Sequence, residues 1–204
     1  MKLSRALPWI VAIALLGALA GGIAARMLTQ KPLNLQSGTW LPQPRALAQF
    51  QLTDLHGQPY GNAALNGHPT LLFFGYSNCP DVCPATLAML HEVARQAPLA
   101  GLEIVFVSLD PERDTPATLR QYLAGFSSDF IGLTADQKAL QPLLSSLSAD
   151  ATRQSLPGGG YRLSHTATLY LLDTHGHLVS VYSPPLATAT LTADLRAIAQ
   201  SAVL

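Results

Sequence analysis

The sequence predicts an α/β fold with a mixed central sheet flanked by helices, preceded by one N-terminal transmembrane helix. Three observations carry this. Two short apolar runs, Thr70–Gly75 and Ile104–Leu109, read as strands buried on both faces, and a helical stretch follows each. Two later runs, Ala167–Leu172 and Leu178–Tyr182, flank a turn and read as a hairpin. Ahead of all of them, the 20 positions between Arg5 and Arg26 carry no charge.

That uncharged run matches what a membrane demands, since about 20 apolar residues at 1.5 Å rise span a hydrocarbon core of roughly 30 Å. Residues 1–30 are therefore expected to form a short head and an anchor. A cleaved signal peptide is the alternative. Its apolar region is usually shorter, but the small residues from Ala18 to Ala25 would suit a cleavage site. Lys2 and Arg5 precede the run and Arg26 and Lys31 follow it, so the flanking charge is nearly balanced. The orientation expected is N-terminus inside, because so short a head translocates nothing. Residues 31–46, with Pro32, Pro42 and Pro44, read as a linker, and the folded domain as 47–204.

Within the domain, Ala48–Leu52 alternates as a short strand and Asp54–Gly57 turns. Thr70–Gly75 runs into Asn78-Cys-Pro-Asp-Val-Cys-Pro84. Leu87, Leu90 and Val93 then fall at helical spacing, predicting a helix over 85–96. Ile104–Leu109 closes at Asp110-Pro111. Thr115 as N-cap with Pro116 at the first helical position starts a helix to about Ala124. Phe130-Ile131 is at most a brief strand, Ala135–Leu147 a helix, Leu156–Gly160 a flexible loop, and Thr190–Ala202 a closing helix. Strands separated by helices imply parallel pairing with right-handed crossovers, and the late hairpin adds antiparallel strands at one side. That layout is a thioredoxin-like sheet.

Composition narrows the function. Charged residues make up 12% against a usual 25% or so, the formal net charge is zero, and no Lys/Arg cluster occurs, which argues against nucleic acid as a partner. The 204 residues suffice for one ordinary domain and an appendage. The chain has 2 cysteines, Cys79 and Cys83, both in one short motif between a buried strand and a helix. Four apart on a helix, their sulfurs would face one point, and the helix N-terminus is expected to lower their pKa values. The pair suits a disulfide, a reactive dithiol or a metal site. An inert disulfide is the weakest of these, because closing so small a loop restrains little chain.

Two sulfurs need a third ligand, and there are 6 histidines. His56, His175 and His177 fall in predicted turns, and His91 lies two helical turns beyond Cys83. His165 differs: it follows Gly158-Gly-Gly160 and opens a predicted core strand whose start lies near the helix that carries the thiols. Position singles it out without deciding it. A Cys/Cys/His set is soft and of low coordination, which favours Cu(I) with Zn(II) as competitor; structural zinc usually takes four protein ligands.

Three segments resemble a known family. Phe73-Phe-Gly-Tyr-Ser-Asn-Cys-Pro-Asp-Val-Cys-Pro84, Val107-Ser-Leu-Asp-Pro-Glu-Arg-Asp-Thr-Pro116 and Ser164-His165 ahead of Ala167–Asp173 resemble, in order, the signatures of the Sco/SenC copper chaperones. The resemblance implies a thioredoxin-like fold and a single N-terminal anchor. It implies copper held by Cys79, Cys83 and His165, as Cu(I) with Cu(II) open as a second working state. It also implies delivery to the copper-accepting subunit of cytochrome c oxidase during assembly. With it comes the expectation of a bacterial-type inner membrane with the folded domain on the periplasmic side. Many relatives carry His before the first cysteine where this chain has Asn78; no ligand role is expected there. The segment Asp110–Asp114 reads as a capped turn with an Arg113–carboxylate pair, in preference to an acidic rim for a partner.

Other readings stay open at this point. A thiol–disulfide reductase that keeps a target's copper-binding cysteines reduced would suit the fold, but CxxxC replaces the usual CxxC and a reductase has no need of His165. A peroxidase resembles a Thr-x-x-Cys arrangement, whereas position 76 is Tyr. A copper sensor would share the same site. The expectation is a chaperone without substrate turnover, Cys79 and Cys83 serving also as a redox pair.

Overall fold

Six consecutive buried residues form strand β4, Thr70–Gly75, and set the middle of the sheet. In this computed structural model, which describes residues 33–96 and 98–201 together with residues 15, 17, 18 and 21, the other strands assemble around it. They are β1 (Gly38–Arg45), β2 (Gln51–Asp54), β3 (Pro59–Gly61), β5 (Glu103–Ser108), β6 (Ile131–Thr134), β9 (Leu169–Leu172) and β10 (Leu178–Tyr182), in the order β1-β10-β9-β4-β5-β6-β2-β3. Strands β4, β5 and β6 are parallel, and β9 joins β4 antiparallel. The predicted mixed sheet is thus present, hairpin included. A separate two-stranded ribbon pairs β7 (Ala151–Ser155) with β8 (Tyr161–His165).

Helices cover both faces, which is why the central strands are apolar throughout instead of alternating. Helix α1 (Val82–Arg95) and helix α2 (Pro116–Ala124) lie on the face of Phe73 and Phe106, with α4 (Thr188–Ser201) beside α1. Helix α3 (Gln137–Leu147) places Leu140, Leu143, Leu144 and Leu147 against Leu72, Phe74, Val105 and Val107 on the other. Burying such a side chain fully is worth roughly 1.5–3 kcal/mol. The caps follow the sequence: Thr115 accepts from the Thr118 amide, with Pro116 opening the helix, and Asp136 accepts from Ala139.

Three expectations are corrected. The stretch 31–46 is not all linker: Gly38–Arg45 pairs antiparallel with β10, and the folded unit begins at Asn34. Pro42 and Pro44 are tolerated because β1 is an edge strand, where a missing N–H costs no ladder bond. The Asp194 carboxylate fastens the entry to this strand, accepting from the amides of Gln36, Ser37 and Gly38 at 2.6, 2.9 and 3.1 Å. Leu156–Gly160 is the turn of the β7–β8 ribbon, and His165 closes β8 instead of opening the core strand, which starts at Leu169. Phe130-Ile131 extends into a paired strand to Thr134.

The predicted anchor lies outside the described residues apart from the isolated positions above. Among the described residues no helix is long and apolar enough to cross a membrane.

Candidate metal centre

Parallel strands end their chains at one edge, and chemistry in α/β sheets gathers there. Here β4 ends at Gly75 and β5 at Ser108, bound to one another beyond the ladder by the Leu109 amide on the Gly75 carbonyl at 2.8 Å. Beyond Gly75 the chain makes a turn in which the Cys79 amide donates to the Tyr76 carbonyl at 3.2 Å. Cys83 then sits in the first turn of α1. The two cysteines therefore do not share a helix as the spacing suggested. Cys79 is in the turn and Cys83 in the helix, with the sulfurs converging because the turn folds back.

Asp114 holds that turn in place. Fully buried, it accepts from the Ser77 amide at 3.0 Å and from the hydroxyls of Ser77 and Ser108. Gly75 makes room for the sulfur below it. A Cβ at position 75 would stand 2.7 Å from a Phe106 ring carbon and 3.0 Å from Cys83 Sγ. Gly75→Ala is expected to cost about 1–3 kcal/mol through overpacking and to displace Cys83 Sγ. Thermal denaturation checks the first, and Cu(I) affinity the second.

His165 approaches from the ribbon. Its Nε2 lies 3.3 Å from Cys83 Sγ, and its Nδ1 lies 3.1 Å from the Thr166 carbonyl. With Nδ1–H donating to that carbonyl, Nε2 carries the lone pair and faces the sulfur. The ring packs edge-on against Tyr76 and Phe73 at centroid distances of 5.9 and 6.2 Å. Burial holds the imidazole below its ordinary pKa, so it is neutral. Burial, reinforced by a hydrogen bond with Cys79, pushes the Cys83 thiol well up. This corrects the expected lowering: desolvation of Cys83, which has no exposed surface, outweighs the helix dipole.

Cys79, Cys83 and His165 thus meet, with their donor atoms all within 4.8 Å of one another. Bond lengths of 2.0–2.3 Å put three donors around one ion roughly 3.5–4 Å apart, so the set needs only small adjustments to hold a metal. Two thiols, both free, and one neutral imidazole make the donor set soft. Among the described residues no other histidine enters such a group.

The family model for SCO1/SenC matches residues 41–200. The chain belongs to the SCO1/SenC family. Among its relatives, a putative copper-binding protein of Stutzerimonas stutzeri is 36% identical over 149 residues, covering 72% of this chain and 73% of that one. Among solved structures, Bradyrhizobium japonicum ScoI with copper bound superposes with a TM-score of 0.66 at 38% identity, covering 74% of this chain and 97% of that one. Yeast Sco1 with copper bound gives 0.70 at 28%, covering 78% and 91%.

Sequence reasoning missed the surroundings of the ribbon. Tyr161, Leu163 and His165 lie on one face of β8, half-buried in alternation with exposed Arg162 and Ser164. The period of two was readable, but the glycine run beside it masked it as loop. The segment Asp110–Asp114 is a capped turn as expected, with an Arg113–Asp110 ion pair.

Proposed function

We propose that this chain binds one copper ion through Cys79 Sγ, Cys83 Sγ and His165 Nε2 and delivers it to the copper centre of cytochrome c oxidase during assembly. The convergence of the three donor atoms within 4.8 Å carries the reading. The copper-bound relatives and the softness of the donor set support it. Cu(I) entering the site displaces the thiol protons. Three protein donors leave room for an incoming ligand of the acceptor, so copper passes by exchange of ligands and never leaves as a bare ion. The uncharged N-terminal run supports an anchor that keeps the domain at the periplasmic face of an inner membrane.

The test is a Cu(I) titration of the reduced chain beside His165→Ala. One copper per chain is expected, with affinity reduced about 10- to 100-fold in the variant and the fold retained. Binding indifferent to His165 would sink the three-ligand site. The two free thiols would then favour the reductase reading, which needs Cys79 and Cys83 alone.

A further inference from the structure

A two-stranded ribbon is marginal by itself, and β7–β8 shares no ladder with the main sheet among the described residues. Yet it delivers His165 to Cys83 within hydrogen-bonding distance. Something other than backbone pairing must hold it down. Leu163 and Ala151 contribute by packing against the core. At the far end of the ribbon, the contacts gather on one side chain.

That side chain is Tyr161. Its ring lies between two guanidinium groups, with Arg113 3.9 Å and Arg153 3.5 Å from the centroid. Its hydroxyl donates to Asp110 Oδ1 at 2.6 Å and lies 3.3 Å from Glu112 Oε2. Arg113 also donates to the Tyr161 carbonyl at 3.3 Å and pairs with Asp110. Arg153, on the partner strand, pairs with Glu112 at 2.7 Å. Arg153 stands opposite Leu163, so it reaches Tyr161 diagonally on the face that also carries His165. Two strands of the ribbon are thereby tied to one loop, Asp110–Asp114. Through Asp114 and Ser77 the same loop braces the turn of Cys79.

We propose that Tyr161 is a positioning residue: clasped by Arg113 and Arg153, it latches the β7–β8 ribbon over Cys83 and sets how often His165 lifts away. Peeling starts at the exposed Gly158–Gly160 turn and proceeds past Leu163, which packs on the core and bonds Tyr76 through its backbone, to His165. A metal site tolerates displacements of only about 0.5 Å, so a small lift at His165 suffices to break its bond. The metal half of this inference rests on the copper reading above; the uncovering of Cys83 does not.

The test uses the full reduced chain without metal. Iodoacetamide modification of Cys83 is followed by peptide mass spectrometry at fixed pH, beside the thermal midpoint. Cys83 has no exposed surface, so it reacts only when uncovered. Tyr161→Ala is expected to speed modification roughly tenfold. Tyr161→Phe, which keeps the stack and loses the hydroxyl bonds, should speed it roughly threefold. Arg153→Met, at an exposed position, gives a second reading if Tyr161→Ala does not fold. The thermal midpoint should move little in all of them, and Cu(I) transfer to a chelator should quicken by the same factors. Unchanged Cys83 modification in folded Tyr161→Ala or Arg153→Met overturns the latch. Absence of Cu(I) binding in the unsubstituted chain counts against the copper reading and leaves the modification result standing.

Discussion

Cys83→Ser is expected to abolish copper retention, lowering Cu(I) affinity by on the order of a thousandfold or more. Serine keeps the volume and replaces a soft, ionisable sulfur by a hard hydroxyl that stays protonated. The fold should persist, because a serine hydroxyl can still take the backbone hydrogen bond that Cys83 makes with Tyr76, and the surrounding Gly75 and Phe106 still fill the space. Competition with a Cu(I) chelator measures the loss. The unsubstituted chain should show a matching pH dependence. Burial holds the Cys83 thiol protonated, so loading releases its proton, while His165, kept neutral by burial, releases none. Affinity contributed through Cys83 therefore falls about tenfold per unit as pH drops. A pH-independent affinity would mean that Cys83 is not bound as thiolate.

Asp114→Ala should cost about 2–4 kcal/mol of stability. The carboxylate is fully buried and accepts from one amide and two hydroxyls. Removing it strands those donors away from water, and for a domain of this size the midpoint should fall by roughly 5–15 °C. The same change frees the turn that holds Cys79, so Cu(I) affinity should weaken about tenfold even where the variant is folded. Asp114→Asn, which can still accept from the Ser77 amide, should recover part of both. Calorimetry and the chelator competition separate the two effects. Full affinity in a destabilised Asp114→Ala would show that the turn holds Cys79 unaided.

Much of this was readable in one dimension because the relevant signals are local. Thr70–Gly75 is apolar throughout since both its faces are covered, and its short length and terminal glycine favour a buried strand over a helix. Thr115-Pro116 announces a helix start whatever surrounds it. The β1 edge strand was not legible. Its two prolines are turn signals everywhere except at a sheet edge, and whether a segment lies at an edge is settled by its partner, 140 or so residues away. The ribbon was hidden for a related reason: Gly158–Gly160 looks like slack chain until Ser155 and Tyr161 pair across it.

By itself the sequence determined the α/β order of elements, the two thiols beside a helix start and the histidine after the glycine run, because periodicity, capping and residue chemistry act over a few positions. The tertiary structure decided the rest. It buried Cys83 deeply enough that desolvation overrides the helix dipole. It set Asp114 beneath Ser77 and brought Tyr161 between two arginines from different elements. Each of these depends on which distant surfaces meet, and the energy of a buried charge or a clasped ring exists only once they have met.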